Sequence, residues 1–168
     1  MPARTLFDIS HLDLGSVVMD RQAIAQHNPH RGHMALLDGV VWISDDYKRM
    51  VGVKHVRPDE FWATGHFPQR PIMPGVLLLE AAAQLANISF SLRRSHPCLA
   101  GFIRIKDASF REQVTPGDTL ILLAQESRFT PKRFTTDVQG LVDDRVVFDA
   151  AIAGMVLEEA ADASTGAA

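Results

Sequence analysis

Cysteine is almost absent from this chain, with Cys98 alone among 168 residues. A single thiol cannot close an internal disulfide, which argues against a cystine-stapled secreted module and fits a reducing compartment. Neither sign of charge is in excess. Lys and Arg number 17 against 20 Asp and Glu, for a formal net charge of -3. That balance gives no footprint for nucleic acid and no polybasic patch for a membrane surface. Uninterrupted apolar runs are also missing. Asp8, His11 and Asp13 break up MPARTLFDISHLDLGS, so a signal peptide is not expected. The most apolar stretch, MPGVLLLEAAAQLANISFSL, carries Glu80, Gln84 and Asn87, which weakens a membrane-spanning reading. The expected location is cytoplasmic.

What is present is enough apolar material, 46% of the residues, to bury a core in one compact domain. The organisation read from the chain is an arm over 1–19, a single domain over 20–157 and a disordered tail over 158–168. MDRQAIAQHN has a helical pattern through Ile24, stopped at Pro29. Leu36 to Ser44 and Lys48 to Val56 read as two strands, with Asp45 and Asp46 at the hairpin turn. In DEFWATG, a short turn, Phe61 and Trp62 need cover. Pro74 suits the first turn of a helix, where a missing N–H costs little. From Val76 to Leu92 there is no Gly or Pro, and apolar residues occur all round, so burial on every face is expected. Arg93 and Arg94 close this helix with the charge its C-terminal dipole favours. Four strands follow, Cys98 to Phe110, Thr119 to Phe129, Phe134 to Val142 and Arg145 to Leu157, joined by TPGD, TPKR and the Asp143–Asp144 pair. Short connections make neighbouring strands antiparallel. The expected class is therefore α+β: one long helix wrapped by a curved antiparallel sheet of about six strands. A sheet covers one side of a helix, and a second subunit is the economical cover for the other.

The chemistry gathers in GHFPQRPIMPGVLLLEAAAQ, Gly65 to Gln84. An unpaired buried carboxylate costs several kcal/mol, so Glu80 must find partners or protonate. Burial alone raises its pKa and makes it an acid near neutral pH. Gln84 lies one turn later on the same helix face. The first turn of the helix has free N–H groups, and Gly75 lets a ligand come close to them. His66 is held on a turn, where an imidazole can be aimed into a cleft. A base, an acid and an oxyanion site together suit proton abstraction beside a carbonyl with loss of a β-hydroxyl.

The same residues resemble the 3-hydroxyacyl-[acyl-carrier-protein] dehydratases of the FabZ type, whose pattern G-H-F-P-x-x-P-x-x-P-G-V-hydrophobic-E-A-x-A-Q is met from Gly65 to Gln84. NPHRGHMALLDGV resembles the start of that family's domain through Pro29, His30, Arg31, Leu36, Leu37 and Asp38. FREQVTPGDTL resembles a later strand-turn-strand through Phe110, Val114, Pro116, Gly117 and Asp118. The resemblance implies a hot-dog fold and a homodimer, commonly in a trimer of dimers, with the histidine and glutamate of each site on different subunits. It implies His66 as catalytic base, Glu80 as acid, Gly75 as the N–H that binds the thioester, and Gln84 as support for Glu80. It implies acyl carrier protein as the partner bearing a (3R)-3-hydroxyacyl chain, a trans-2-enoyl product, and no metal or organic cofactor. Gly32 and His33 stand where the family has an aromatic residue and a proline, Gly39 where it has arginine, and Gln69 where it has glycine.

Two other readings share this fold: an acyl thioesterase, and a non-catalytic acyl-binding protein. Phe67 and Met73 flank the site and are candidates to line the acyl chain, with Ile72 beside them. His30 and His33 have an i, i+3 spacing without the carboxylate or cysteine cluster a metal needs. Arg93, Arg94, Arg104, Lys106, Arg128, Lys132 and Arg133 are candidates for a carrier-docking patch, against the default of a solvated face.

Overall fold

Pro74 opens the long helix, accepting through its carbonyl from the N–H groups of Leu77 and Leu78. In the computed structural model, which describes residues 4–94, 96 and 98–159, the elements run α1 (Arg21–His27), a single 3-10 turn (Gly32–Met34), β1 (Gly39–Ile43), β2 (Arg49–His55), α2 (Gly75–Arg94), β3 (Cys98–Phe110), β4 (Thr119–Thr130), β5 (Arg133–Val142) and β6 (Arg145–Glu159). All six strands form one antiparallel sheet in the order β1-β2-β4-β5-β6-β3. The concave face holds α2 in a core that includes Leu78, Leu85, Ile88, Leu122, Val138, Phe148 and Ile152. This is the expected α+β, hot-dog arrangement.

The helix differs from the expectation of burial on every face. Val76 is 71% exposed, because the first turn stands clear of the sheet. Gln84, Asn87, Ser89 and Ser91, all polar, are buried. Each of them ties α2 to a neighbouring segment. Asn87 Nδ2 donates to Asn28 Oδ1 at 2.7 Å, Ser89 Oγ donates to the Tyr47 carbonyl at 2.6 Å, and Ser91 Oγ meets His27 Nδ1 at 2.9 Å. Buried polar groups are tolerated where they are paired, and of the polar atoms on these four side chains Asn87 Oδ1 alone lacks a partner among the described residues. By length and composition α2 could cross a membrane, yet two-thirds of its most apolar stretch is buried inside this fold.

Local chemistry sets the edges of the other elements. Asp20 caps α1 by accepting from the Ala23 N–H at 2.8 Å. β1 begins at Gly39 rather than Leu36. Leu36 and Leu37 are buried in a loop, and the Leu36 N–H donates to Gln84 Oε1 at 3.0 Å in place of a strand partner. The first hairpin is closed by Asp46, whose Oδ1 accepts from Ser44 Oγ and the Lys48 N–H, with Tyr47 at φ 58. Between β5 and β6, Asp143 and Asp144 have φ 48 and 61, the pair of left-handed residues a two-residue hairpin needs. β6 runs to Glu159, two residues past its expected end; the remainder of the tail over 160–168 lies outside the described residues. Trp62 is buried whereas Phe61 is exposed and lies 5.9 Å from the His33 ring.

The described part of the arm, from Arg4, lies on the outer face of the sheet. Leu6, Phe7, Ile9, Leu12 and Leu14 cover Val41, Val51, Val53, Leu123, Leu141 and Val146. Gln139 fixes the arm, accepting from the Leu6 N–H at 3.0 Å and donating to the Arg4 carbonyl at 3.1 Å. A side chain at Gly39 would reach within 3.0 Å of Val17, so the glycine there accommodates the arm's close approach to β1.

Candidate active site

His66 sits in the loop between β2 and α2, which its own backbone closes. Its N–H donates to the Trp62 carbonyl and its carbonyl accepts from Ile72, both at 2.8 Å. The ring is fixed from two sides. Nδ1 lies 2.8 Å from the Ile72 carbonyl, and the Phe67 ring stacks at 4.3 Å. A carbonyl only accepts, so Nδ1 carries the proton and Nε2 keeps its lone pair. That is the tautomer a base requires.

Glu80 lies one and a half turns into α2. Its Oε1 accepts from Gln84 Nε2 at 2.9 Å and faces His30 Nε2 at 3.1 Å. Neither partner uses Oε2. Gln84 is itself locked, donating to the Met34 carbonyl at 2.7 Å and accepting from Leu36. Burial pushes the Glu80 carboxyl upward, but the hydrogen bonds from His30 and Gln84, with the charge His30 can carry, outweigh it and hold the carboxyl below its usual range. The expectation of a raised pKa is therefore reversed, because partners that stabilise the anion compensate for desolvation. Glu80, Gln84, His30, Ala83 and Asn87 line a cleft of about 210 Å³ whose far wall is Ala100, Gly101 and Phe102 of β3, with Phe134 and Gly154.

At the start of α2, Gly75 and Val76 have N–H groups without a partner among the described residues. They are in place to receive an anionic or polarised oxygen. A methyl at Gly75 would come within 2.8 Å of the Phe110 ring, so glycine is needed first for that contact and not only for access. Phe67 is half exposed beside His66, available to an acyl chain. Met73 is 2% exposed in the core, where its N–H donates to the Val114 carbonyl; it lines none of the clefts described here.

Within one chain the two halves stay apart. His66 is held by Ile72 and Phe67, Glu80 by His30 and Gln84, and no described contact joins them.

Over residues 28–151, most of its length, the chain matches the FabA-like domain. It is 37% identical over 139 residues to the 3-hydroxyacyl-[acyl-carrier-protein] dehydratase FabZ of Brucella abortus, spanning 82% of this chain and 88% of that protein. The chain belongs to the FabZ-type branch of the FabA-like family. The FabZ of Anoxybacillus flavithermus is 40% identical over 113 residues, 67% of this chain and 79% of that one. The dehydratase heterocomplex ApeI:P from Xenorhabdus doucetiae shares the fold, with a TM-score of 0.69 over 79% of this chain and 90% of that one, at 16% identity.

For this FabZ-type chain the sequence reading missed one partner. His30 stood out only as part of the family's pattern at the start of the domain and for its spacing to His33, with no role at Glu80, yet the two rings diverge, His30 onto Glu80 and His33 toward Phe61. Among the described residues no three His, Cys, Asp or Glu side chains gather to hold a metal. The signal that could have found His30 was the requirement that a buried Glu80 be paired, and no spacing rule tells which distant histidine pairs it. Two docking candidates are engaged elsewhere. Arg93 pairs with Glu126 at 3.4 Å and lies over the Phe129 ring, and Arg94 pairs with Glu159 at 2.8 Å.

Proposed function

We propose that this chain dehydrates (3R)-3-hydroxyacyl thioesters carried on acyl carrier protein to trans-2-enoyl thioesters. The observation that carries the reading is a pair of side chains each fixed by one atom and open at the other: His66 through Nδ1, leaving Nε2, and Glu80 through Oε1, leaving Oε2. His66 Nε2 takes the α-proton. The N–H groups of Gly75 and Val76 stabilise charge on the thioester oxygen, and Glu80 Oε2 meets the β-hydroxyl directly or through a water. Thioester hydrolysis needs no base at the α-carbon, which disfavours a thioesterase. A cytoplasmic location belongs to this reading, in keeping with the free thiol of Cys98.

The site is completed by a second copy. β3 is an edge strand, and Leu99, Phe102, Ile103, Ile105 and Phe110 along it are each 40–51% exposed. A long apolar edge invites strand pairing. Antiparallel pairing of two β3 strands reverses their ends. The Phe110 end, beside which Gly75 and the His66 loop sit, then faces the Ala100–Phe102 end of the partner, which walls the Glu80 cleft. A trimer of such dimers is the larger assembly of this reading. Arg104, Lys106, Arg128 and Arg133 border a cleft of about 580 Å³ on the outer face, floored by Ala151 and Ala153; these four form the docking surface for an acidic carrier.

His66→Ala and Glu80→Gln each lower kcat for a 3-hydroxyacyl thioester by about a hundredfold or more, the scale of general acid–base catalysis, while the oligomer stays folded. Mixing the two variants during refolding restores up to about a quarter of the activity, because half the dimers are mixed and each carries one intact site. Near-normal dehydration by both single variants, or thiol release without an enoyl absorbance, overturns the reading. Absence of rescue overturns the two-chain site.

A further inference from the structure

His30 belongs to no step of the chemistry above, yet among the described residues it is the titratable side chain that pairs with Glu80, at 3.1 Å. It follows α1 directly: the Asn28 side chain anchors that segment to the Gln84 carbonyl at 2.9 Å, and Arg31 donates to the Ala25, Asn28 and His30 carbonyls. The segment is thus pinned to α2 and the ring is aimed by the backbone. His30 Nδ1 is buried with no partner. A proton on Nδ1 would be an unsatisfied buried donor, so the proton belongs on Nε2, where Glu80 Oε1 accepts it. Both donors to Glu80, His30 and Gln84, use the same oxygen. Among the residues that line this cleft, His30 is the only titratable group besides Glu80. α2 contributes Gln84 and Asn87, and the β3, β5 and β6 walls contribute Ala100, Gly101, Phe102, Phe134 and Gly154.

We propose that His30 is a positioning residue that keeps Glu80 an oriented anion, with Oε2 turned to the substrate hydroxyl. The inference rests on the dehydratase reading for its kinetic consequence and on geometry alone for its structural one. An anionic Glu80 accepts a hydrogen bond from the β-hydroxyl and does not supply the departing proton. The α C–H bond breaks and its proton goes to His66 Nε2. The Cα–Cβ double bond forms as the β C–O bond breaks, and the hydroxyl leaves as water with the proton that His66 returns. Substrate becomes enoyl thioester and water, and every group on the protein ends as it began. The carboxyl's position below its usual range agrees with this charge state at neutral pH.

The sign of the pH dependence separates the two roles. A Glu80 acting as a neutral acid loses activity as pH rises through its pKa; an anion loses activity as pH falls through it. Removing the donor with His30→Leu raises the Glu80 midpoint, read by carbon-detected NMR on the ligand-free, full-length protein with Glu80→Gln for assignment. Because His66 must also be unprotonated to act as base, the acid-side limb of kcat/KM has two steps, and the step set by Glu80 moves up with the midpoint, by about one pH unit as for loss of one close favourable partner. At a pH below that step kcat falls about tenfold relative to the unaltered protein, corresponding to that one-unit shift, and KM changes little. His30→Gln keeps an N–H near Oε1 and restores most of both. In the unaltered protein, ring nitrogen shifts show the Nε2–H form of His30 at neutral pH. A Glu80 midpoint that stays put in His30→Leu, a loss of kcat without movement of the limb or rescue by glutamine, or an Nδ1–H form overturns the proposal. If the unaltered protein does not dehydrate 3-hydroxyacyl thioesters, the functional reading fails instead, and the two NMR measurements still decide what His30 does.

Discussion

Lys54 is the largest side chain buried to 1% exposure, and its ammonium meets Glu60 Oε1 at 2.7 Å. Glu60 has a second cation, Arg57, at 3.9 Å. The two partners are therefore not equivalent. Glu60→Ala strands a buried ammonium and is expected to cost about 3–5 kcal/mol in chemical denaturation. Lys54→Met fills the same space without charge and leaves Glu60 beside Arg57, so it costs about 1 kcal/mol or less. Equal losses in the two variants would show that the pair is more hydrated than its burial indicates. Asp38 answers the same kind of need, gathering the His55 N–H and the guanidinium groups of Arg21 and Arg57. Burial works against its charge and these donors win, holding its carboxyl below its ordinary range. Neither cluster was legible beforehand. Lys54 lies inside a strand pattern that says only that alternate residues face the core, and its acid comes from a turn six residues on.

At the scale of elements, the sequence reading succeeds where chemistry is local. The α2 span follows from a run without Gly or Pro, and the four later strands from apolar, strand-like runs bounded by turn residues, because those signals act within a few positions. The Asp143–Asp144 turn is such a case. Both residues occupy the left-handed region at some steric cost, which Asn-Gly avoids. The double variant Asp143→Asn, Asp144→Gly should raise stability by about 0.5–1 kcal/mol, seen as a higher thermal midpoint, with the Val142–Arg145 pairing intact. A fall would mean that the aspartates make contacts the turn needs. The reading fails at Leu36–Asp38, where an apolar run looks like strand. Gln84, 48 residues away, takes the Leu36 N–H and makes the segment a loop. That substitution also places the 3-10 turn of Gly32–Met34, with Gly32 at φ 58, against α2, where the Met34 carbonyl holds the Gln84 amide. The departures at Gly32 and His33 thus fall in the segment that positions Gln84 and, next to it, His30.

On the scale of the whole molecule, the sheet has two faces with different cover. The inner face is filled by α2, and the arm shields part of the outer face. Deleting residues 1–15 keeps the pairing of Met19 with Val40 but uncovers Val41, Val51, Val53, Leu123 and Val146. Losing partial cover on several such side chains is worth about 2–3 kcal/mol, so the thermal midpoint should drop by roughly 5–10 °C and binding of a hydrophobic dye should rise. The remaining folded protein should keep kcat within about twofold, since Glu80 and His66 lie away from that face. A large loss of turnover with an unchanged midpoint would instead tie the arm to the site.

Periodicity, turn residues and the Gly65–Gln84 pattern determined the secondary structure, the fold class and the family, because those signals are carried by neighbouring residues whose spacing the backbone fixes. Tertiary structure alone decided which groups meet Glu80, what charge it holds, and where the arm lies. His30 is fifty residues from Glu80 in the chain, and Leu6 is 133 from Gln139. Contacts over such separations are chosen by how sheet and helix pack, and so the buried acid that the sequence made conspicuous became, in the folded protein, a paired anion.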